Sequence, residues 1–173
     1  MPAHVIRLVQ SAPAVGFSGS RVTSSPSLTA LRVIAVLVSP SATVAVGCAA
    51  GVDARARSLF PRAVVFAVAS GRWGSGPGAY AARSAACVRA VAASGGLWCS
   101  FPAGACPVGV RPSADAAACF AGCGSGSWSS LAFAVGLGLP CTVFAPAGAP
   151  GWLSPLGSGW FASLPAASQP SLF

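Results

Sequence analysis

Five apolar segments recur along the chain, and small residues and stretches of helical character lie between them. The segments are apolar throughout instead of alternating with polar residues, which is typical of strands buried on both faces of a parallel sheet. Helices between the strands would cover both faces. The sequence therefore predicts a three-layer α/β domain with a mainly parallel sheet, its strands at residues 15–18, 43–46, 63–69, 97–101 and 141–145.

The length of 173 residues favours a single domain with a substantial core. We expect residues 14–146 to form this domain and residues 1–13 to be an N-terminal extension. Residues 147–173 are rich in Pro, Gly and Trp and predict a loop-like tail packed over the domain. Residues 102–121 predict an irregular excursion with one or two helical turns, because Pro, Gly and Cys are frequent there.

The charge of the chain is strongly one-sided. It contains ten Arg and two Asp but no Lys, Glu or Asn, for a formal net charge of +8. Such an excess favours anionic partners such as nucleotides, nucleic acid or an acidic membrane surface. A GC-rich coding sequence favours Ala, Gly, Pro and Arg equally well, so the excess alone does not choose among these explanations.

Neither a metal site nor a membrane span is predicted. The seven cysteines form no Cys-x-x-Cys motif, and those in apolar runs are typical of small buried side chains. The mean hydropathy is +0.73, but Pro and Gly interrupt both long uncharged intervals before they reach the roughly 20 residues a bilayer requires. No signal peptide is recognisable. We expect a cytoplasmic protein with reduced thiols, no metal, no cofactor and no membrane partner.

Four loops rich in small residues leave predicted strands, at residues 16–21, 47–53 and 71–78, or follow a strand by way of the excursion, at residues 122–128. The last opens directly into an apolar helix, whose first backbone N–H groups and positive dipole end attract anions. Ligands of parallel sheets settle beyond the carboxyl ends of the strands, so we expect these loops to converge on a phosphate-binding crevice. The predicted binding residues are Gly19, Ser20, Arg21, Gly47, Gly51, Asp53, Arg83, Gly124, Ser125, Gly126 and Ser127.

Asp53 and several residues outside this list have alternative interpretations. Asp53 is typical of a residue that caps the N-terminus of a helix, and this is favoured over a catalytic base. Arg72 follows the third strand and is either a further phosphate ligand or a solvated surface residue. Trp98 and Trp128 can stack on a base, although buried core positions are the commoner fate of such side chains. Arg89 lies deeper along its helix and is expected at the surface.

The order of four motifs carries a resemblance to a known superfamily. They are Gly19-Ser20-Arg21, Gly47-x-Ala49-x-Gly51-Val52-Asp53, Arg83-Ser84 and Ser125-Gly126-Ser127-x-x-Ser130. Over residues 14–146 this order resembles the Rossmann-like SLOG superfamily, which unites DNA-processing protein A and the Lonely-guy (LOG) phosphoribohydrolases. The resemblance implies a three-layer Rossmann-like fold and binding of a nucleotide or a phosphorylated nucleotide derivative.

Departures from the family patterns bear on activity. Alignment of Gly126-Ser127 with the LOG glycine-threonine pair places Ser130 at the position of the catalytic Glu, and the chain has no Glu. Acid/base chemistry would then fall to Asp53 or Asp115. In the DNA-processing branch, Arg usually precedes the second glycine of the second motif, and this chain has Ala50 there. The resemblance thus implies a nucleotide-binding and non-catalytic domain. The alternatives are a single-stranded DNA-binding module and a nucleotide N-glycosidic bond hydrolase; formation of a homo-oligomer stays open.

Overall fold

The computed structural model describes residues 1–76, 78–122 and 124–163. The strands are β1 (Ala14–Gly19), β2 (Thr43–Gly47), β3 (Val64–Phe66), β4 (Leu97–Phe101), β5 (Cys141–Phe144), β6 (Ser154–Gly157) and β7 (Trp160–Ser163). The helices are α1 (Ala3–Ser11), α2 (Ser25–Leu37), α3 (Val52–Leu59), α4 (Gly78–Ala93), α5 (Ala116–Cys119) and α6 (Gly126–Gly136).

All of the strands belong to one sheet in the order β3-β2-β1-β4-β5-β7-β6. The first five strands in this order pair in parallel, and β7 and β6 are added antiparallel at the β5 edge. From β1 the chain moves outward to β2 and β3, then returns to β4 on the other side of β1. The reversal of strand order between β1 and β4 is the topological switch point at which Rossmann-like folds bind their ligands.

Alternate side chains of each central strand enter two separate cores. Val15 and Phe17 of β1 pack with Leu97, Cys99 and other residues on the side of α1, α2 and α3. On the opposite face, Trp98 packs among residues of α4 and α6. These two buried layers make the molecule a three-layer Rossmann-like α/β fold, as the uniformly apolar strands predict.

Helix α2 shows how local chemistry sets a helix boundary. Ser24 is its N-cap, and the Ser24 hydroxyl accepts a hydrogen bond from the backbone N–H of Ser27. Pro26 occupies the first turn, where its missing N–H costs nothing. The fully buried Leu31 and Ile34 then direct one face of the helix into the core.

The structure differs from the sequence predictions at both ends of the described chain. Within residues 1–13, which were expected to be an extension, α1 places Val5 and Val9 in the core with no exposed surface. In the described part of the tail, residues 147–153 are irregular as predicted, but residues 154–163 are not a loop, because β6 and β7 form a hairpin on the sheet edge. Residues 164–173 of the predicted tail lie outside the described residues.

Strand β3 is also shorter than the predicted 63–69. It ends at Phe66, and residues Val68–Ser70 form one turn of 3-10 helix. The indole N–H of Trp73 donates to the carbonyl oxygen of Ala67 at 3.1 Å, which fixes this turn against the following loop. Among the residues described, no helix has the length and apolar character needed to cross a membrane.

Candidate functional site

A crevice of about 510 Å³ opens beyond the carboxyl ends of β1 and β4, at the switch point of the sheet. Its volume lies within the usual range for small-molecule sites. The walls come from the loop after β1, from α4 and from the start of α6. Of the predicted binding residues, the crevice is lined by Gly19, Ser20, Arg21, Asp53, Arg83, Gly124, Ser125, Gly126 and Ser127.

The start of α6 forms one wall of this crevice. Ser125 is the N-cap and has extended backbone angles, but its side chain makes no capping hydrogen bond. Its hydroxyl instead lies 3.2 Å from that of Ser127. Because the first N–H groups of a helix have no intrahelical acceptor, the start of α6 offers donors to a ligand in the crevice. Cys123, in the same predicted loop, lies outside the described residues.

A buried ion pair lies beside the crevice. Arg83 Nη1 on α4 is 3.3 Å from Asp53 Oδ2 on α3, and both side chains are over nine-tenths buried. Arg83 Nε is buried too and has no hydrogen-bond partner among the described residues. Arg83 is also a lining residue of the crevice, and a buried guanidinium N–H without an acceptor is a donor for a further anionic or polar group.

Asp53 is not the helix cap that its sequence position suggests. The N-cap of α3 is Gly51, and the Asp53 carboxylate accepts the backbone N–H of Ala49 at 3.2 Å, outside the helix. Burial raises the pKa of Asp53 above its ordinary value, while Arg83 opposes this shift without cancelling it. The carboxylate therefore connects the loop after β2 to α4 through Arg83.

Gly47 and Gly51 do not line the crevice, although the sequence predicts them there. A Cβ on residue 47 would overlap the Arg83 guanidinium and the Asp53 carboxylate. Gly51 has a φ of +72°, and a Cβ there would collide with the backbone carbonyl of Ser20. Both glycines thus act outside the crevice. Without a Cβ, Gly47 leaves room for the ion pair, and Gly51 leaves room for the backbone of Ser20.

The loop after β1 is held by backbone hydrogen bonds at Ser20. Its N–H donates to the carbonyl oxygen of Phe101 at 3.1 Å, and its own carbonyl accepts the N–H of Val52 at 3.0 Å. Arg21 follows with an exposed side chain, whose guanidinium carbon lies 5.4 Å from the centre of the Tyr80 ring. The backbone of this loop is therefore anchored to two neighbouring elements, while the exposed Arg21 side chain lies over Tyr80.

The floor of the crevice contains a buried polar chain. The Trp98 indole N–H donates to Ser18 Oγ, and Ser18 Oγ donates to Ser100 Oγ, both at 3.1 Å. Trp98 is 1% exposed and combines a core position with one edge on the crevice. Trp128 is in the core, and its indole N–H donates to Gly104.

Ser130 also lines the crevice, at the position that the LOG pattern assigns to a catalytic Glu. Its hydroxyl donates to the carbonyl oxygen of Gly126 at 2.8 Å, inside its own helix. Of the two carboxylates that could replace a Glu, Asp53 lines the crevice and Asp115 does not. Asp115 is exposed and caps α5 through the N–H of Ala117.

Sequence reasoning missed Tyr80, which lines the crevice from the first turn of α4. A signal was present, because Tyr80, Arg83, Ser84 and Cys87 follow the i, i+3, i+4, i+7 spacing of one helix face. All four line the crevice. Arg72 and Arg89 are exposed and do not line it, and Arg89 instead lies over the Phe133 ring. The predicted convergence of loop 71–78 is therefore wrong for its described residues, none of which lines the crevice.

The chemistry of the remaining crevice groups is limited. Burial raises the pKa of the Cys87 thiol to about 12, so the nucleophilic thiolate is absent near neutral pH. In residues 1–76, 78–122 and 124–163, no group of three His, Cys, Asp or Glu side chains is placed to hold a metal ion. The functional groups of the crevice are thus backbone N–H groups, hydroxyls, two guanidiniums and one carboxylate.

No protein-family model matches the chain, and no curated protein or solved structure is significantly similar to it. The crevice itself therefore carries the functional argument.

Proposed function

We propose that this protein binds a nucleotide or a phosphorylated nucleotide derivative in the switch-point crevice. The order of its loop motifs, which resembles that of the SLOG superfamily, supports this proposal. So does the position of the crevice, because open α/β sheets bind nucleotides where the strand order reverses. The phosphate lies at the start of α6, and Arg21 and Arg83 supply positive charge.

One observation carries the proposal: two independent kinds of anion donor meet in one crevice. The start of α6 has first-turn N–H groups without a side-chain cap, and Arg83 has a buried Nε without an acceptor among the residues that the structure describes. Either feature alone is common. Together they leave buried or oriented donors that a phosphate would satisfy.

Substitution at Gly126 tests the role of α6. Gly126 is the first helical residue, a position that accepts Pro, and Ser125 before it already has the extended backbone that precedes Pro. We expect Gly126→Pro to remove one N–H donor and weaken binding of AMP by about 1–3 kcal/mol. Gly126→Ala, which keeps the N–H, is the matched control, and titration calorimetry measures both. Equal affinities for the two variants would contradict the assignment of phosphate to α6.

Arginine substitutions test whether binding is local. Arg21→Ala and Arg83→Ala should each weaken AMP binding by about 1–3 kcal/mol, because each removes a charge-assisted donor. Arg89→Ala should change little, since Arg89 lies outside the crevice. Thermal unfolding of Arg83→Ala distinguishes lost binding from lost structure. Equal losses for all three variants would indicate diffuse electrostatics, as in a single-stranded DNA-binding module.

A second candidate function is hydrolysis of a nucleotide N-glycosidic bond. It is favoured by the position of Asp53, a buried carboxyl of raised pKa that lines the crevice. Such groups are candidates for proton transfer in enzymes. Release of free base from a panel of nucleoside monophosphates, followed by chromatography, tests it.

The binding proposal predicts no release of base by the wild-type protein. If the wild-type protein releases base, and Asp53→Asn abolishes this release while Ser130→Ala retains it, then Asp53 is the catalytic residue and the non-catalytic interpretation is wrong.

A further inference from the structure

Arg21 and Tyr80 form a contact across the mouth of the crevice. Arg21 belongs to the loop after β1, Tyr80 to the first turn of α4, and both line the crevice. The guanidinium carbon stands 5.4 Å from the ring centre, within the range of a cation–π contact. The Tyr80 ring is half-exposed, with 45% of its surface accessible.

The Arg21 side chain is free to exchange partners while its backbone is fixed. The flanking Ser20 is anchored to Phe101 and Val52 by backbone hydrogen bonds. In the described part of the chain, Arg21 has no carboxylate within ion-pair distance. A cation–π contact at an exposed site is weak, so it yields readily to a stronger partner on the same ring face.

We propose that the Tyr80 ring is the stacking platform for the base of the bound nucleotide, and that Arg21 occupies this face until the ligand arrives. A purine or pyrimidine base is planar like the guanidinium and stacks on an aromatic ring with a gain of roughly 5–150-fold in affinity. The displaced Arg21 then turns to the phosphate. This inference rests on the proposed function, and it deepens it by assigning the base of the nucleotide to the Tyr80 face, so that a bare sugar phosphate should bind less tightly.

Affinities for AMP and for ribose 5-phosphate separate the base from the phosphate. We expect the wild-type protein to bind AMP roughly 5–150-fold more tightly than ribose 5-phosphate. Tyr80→Leu should reduce this ratio at least fivefold without weakening the binding of ribose 5-phosphate. Tyr80→Phe should retain the ratio, because it keeps the ring. The half-exposed position of Tyr80 makes both variants compatible with the fold.

Tyr80 is the single tyrosine of the chain, so its ring gives one set of signals in a tyrosine-labelled NMR sample of the wild-type protein. Saturation with AMP should shift these signals upfield through the ring current of the base, and ribose 5-phosphate should not.

The possible failures are distinguishable. Equal wild-type affinities for AMP and ribose 5-phosphate would overturn the stacking role while the phosphate site of the proposed function stands. An unchanged ratio in Tyr80→Leu would do the same. Failure of the wild-type protein to bind either probe would remove the proposed function, and the stacking role with it.

Discussion

Gly47→Ala should destabilise the protein because Gly47 lies directly against the buried ion pair. A Cβ at this position overlaps the Arg83 guanidinium and the Asp53 carboxylate. The Gly47 backbone cannot easily shift away from the ion pair, because β2 pairs with strands on both sides and the Gly47 carbonyl accepts a hydrogen bond from Arg57 Nη1 at 2.6 Å. The added methyl therefore forces Arg83 away from Asp53.

The magnitude follows from three contributions. Overpacking a tight site costs about 1–3 kcal/mol. Losing a hydrogen bond between charged groups costs about 1.5–3 kcal/mol. Replacing Gly with Ala restricts the unfolded chain and returns about 0.4–1 kcal/mol. The net expected loss is about 2–5 kcal/mol in the free energy of unfolding, which most domains of this size survive.

Urea unfolding measures this loss, and the chain supplies a matched control. A Cβ added at Gly126 meets no atom within 4 Å, so Gly126→Ala should raise the free energy of unfolding slightly, by about 0.4–1 kcal/mol, through its effect on the unfolded chain. A double-mutant cycle with Arg83→Ala tests the cause. Once Arg83 is absent, Gly47→Ala should cost at least about 1 kcal/mol less than in the wild type. The reasoning is refuted if Gly47→Ala matches Gly126→Ala, or if its cost is the same with and without Arg83.

Two further predictions concern the core. Val9→Ala should lower the free energy of unfolding by about 1–3 kcal/mol, because Val9 of α1 is fully buried, and the exposed Arg7→Ala should be nearly neutral in the same urea titration. Burial raises the pKa of the Cys99 thiol to about 12, whereas an unfolded thiol titrates near about 8.5. The folded state therefore keeps the Cys99 thiol protonated to a higher pH than the unfolded state does. The free energy of unfolding should then fall as pH rises above about 8.5, and Cys99→Ala should reduce this slope by up to about 1.4 kcal/mol per pH unit.

The parallel strands were predictable because a strand buried on both faces is a short, mostly apolar run that does not alternate with polar residues. Strand β4 coincides with the predicted 97–101, and β5 begins at the predicted Cys141. Each lies in a short, mostly apolar run bounded by Gly or Pro. The convergence of the loops also follows from the sequence, because parallel strands carry their carboxyl ends to one edge.

The C-terminal hairpin was not predictable in the same way. Strand β6 contains Pro155, which normally argues against a strand and is tolerated here because β6 lies at the sheet edge. Its turn uses Ser158 at a φ of +52°, a conformation that is rare for a residue other than Gly. Strand β7 buries Trp160 and Ala162 alternately, but four residues are too few for a reliable period.

The packing role of Gly47 and Gly51 was not predictable from the sequence, for a different reason. Gly47 and Gly51 occupy loop positions typical of phosphate-binding glycines, and their spacing alone does not reveal which atoms approach them. The contact of Gly47 with Arg83 joins residues far apart in sequence. Only the folded arrangement distinguishes a glycine that faces a ligand from one that makes room for a neighbouring side chain.

The two candidate functions make competing use of Asp53. A general acid or base must present its oxygens to the substrate, yet Asp53 Oδ2 already accepts from Ala49 and from Arg83. Catalysis by Asp53 would require that oxygen to leave both donors or the second oxygen to act alone. Binding requires neither, because within the described part of the chain the Arg83 Nε has no hydrogen-bond partner, and the start of α6 is uncapped while the ion pair stays intact. Ser130 offers no substitute, since its hydroxyl is committed to Gly126. The groups that remain available are donors for an anion, and for this reason we favour nucleotide binding over hydrolysis.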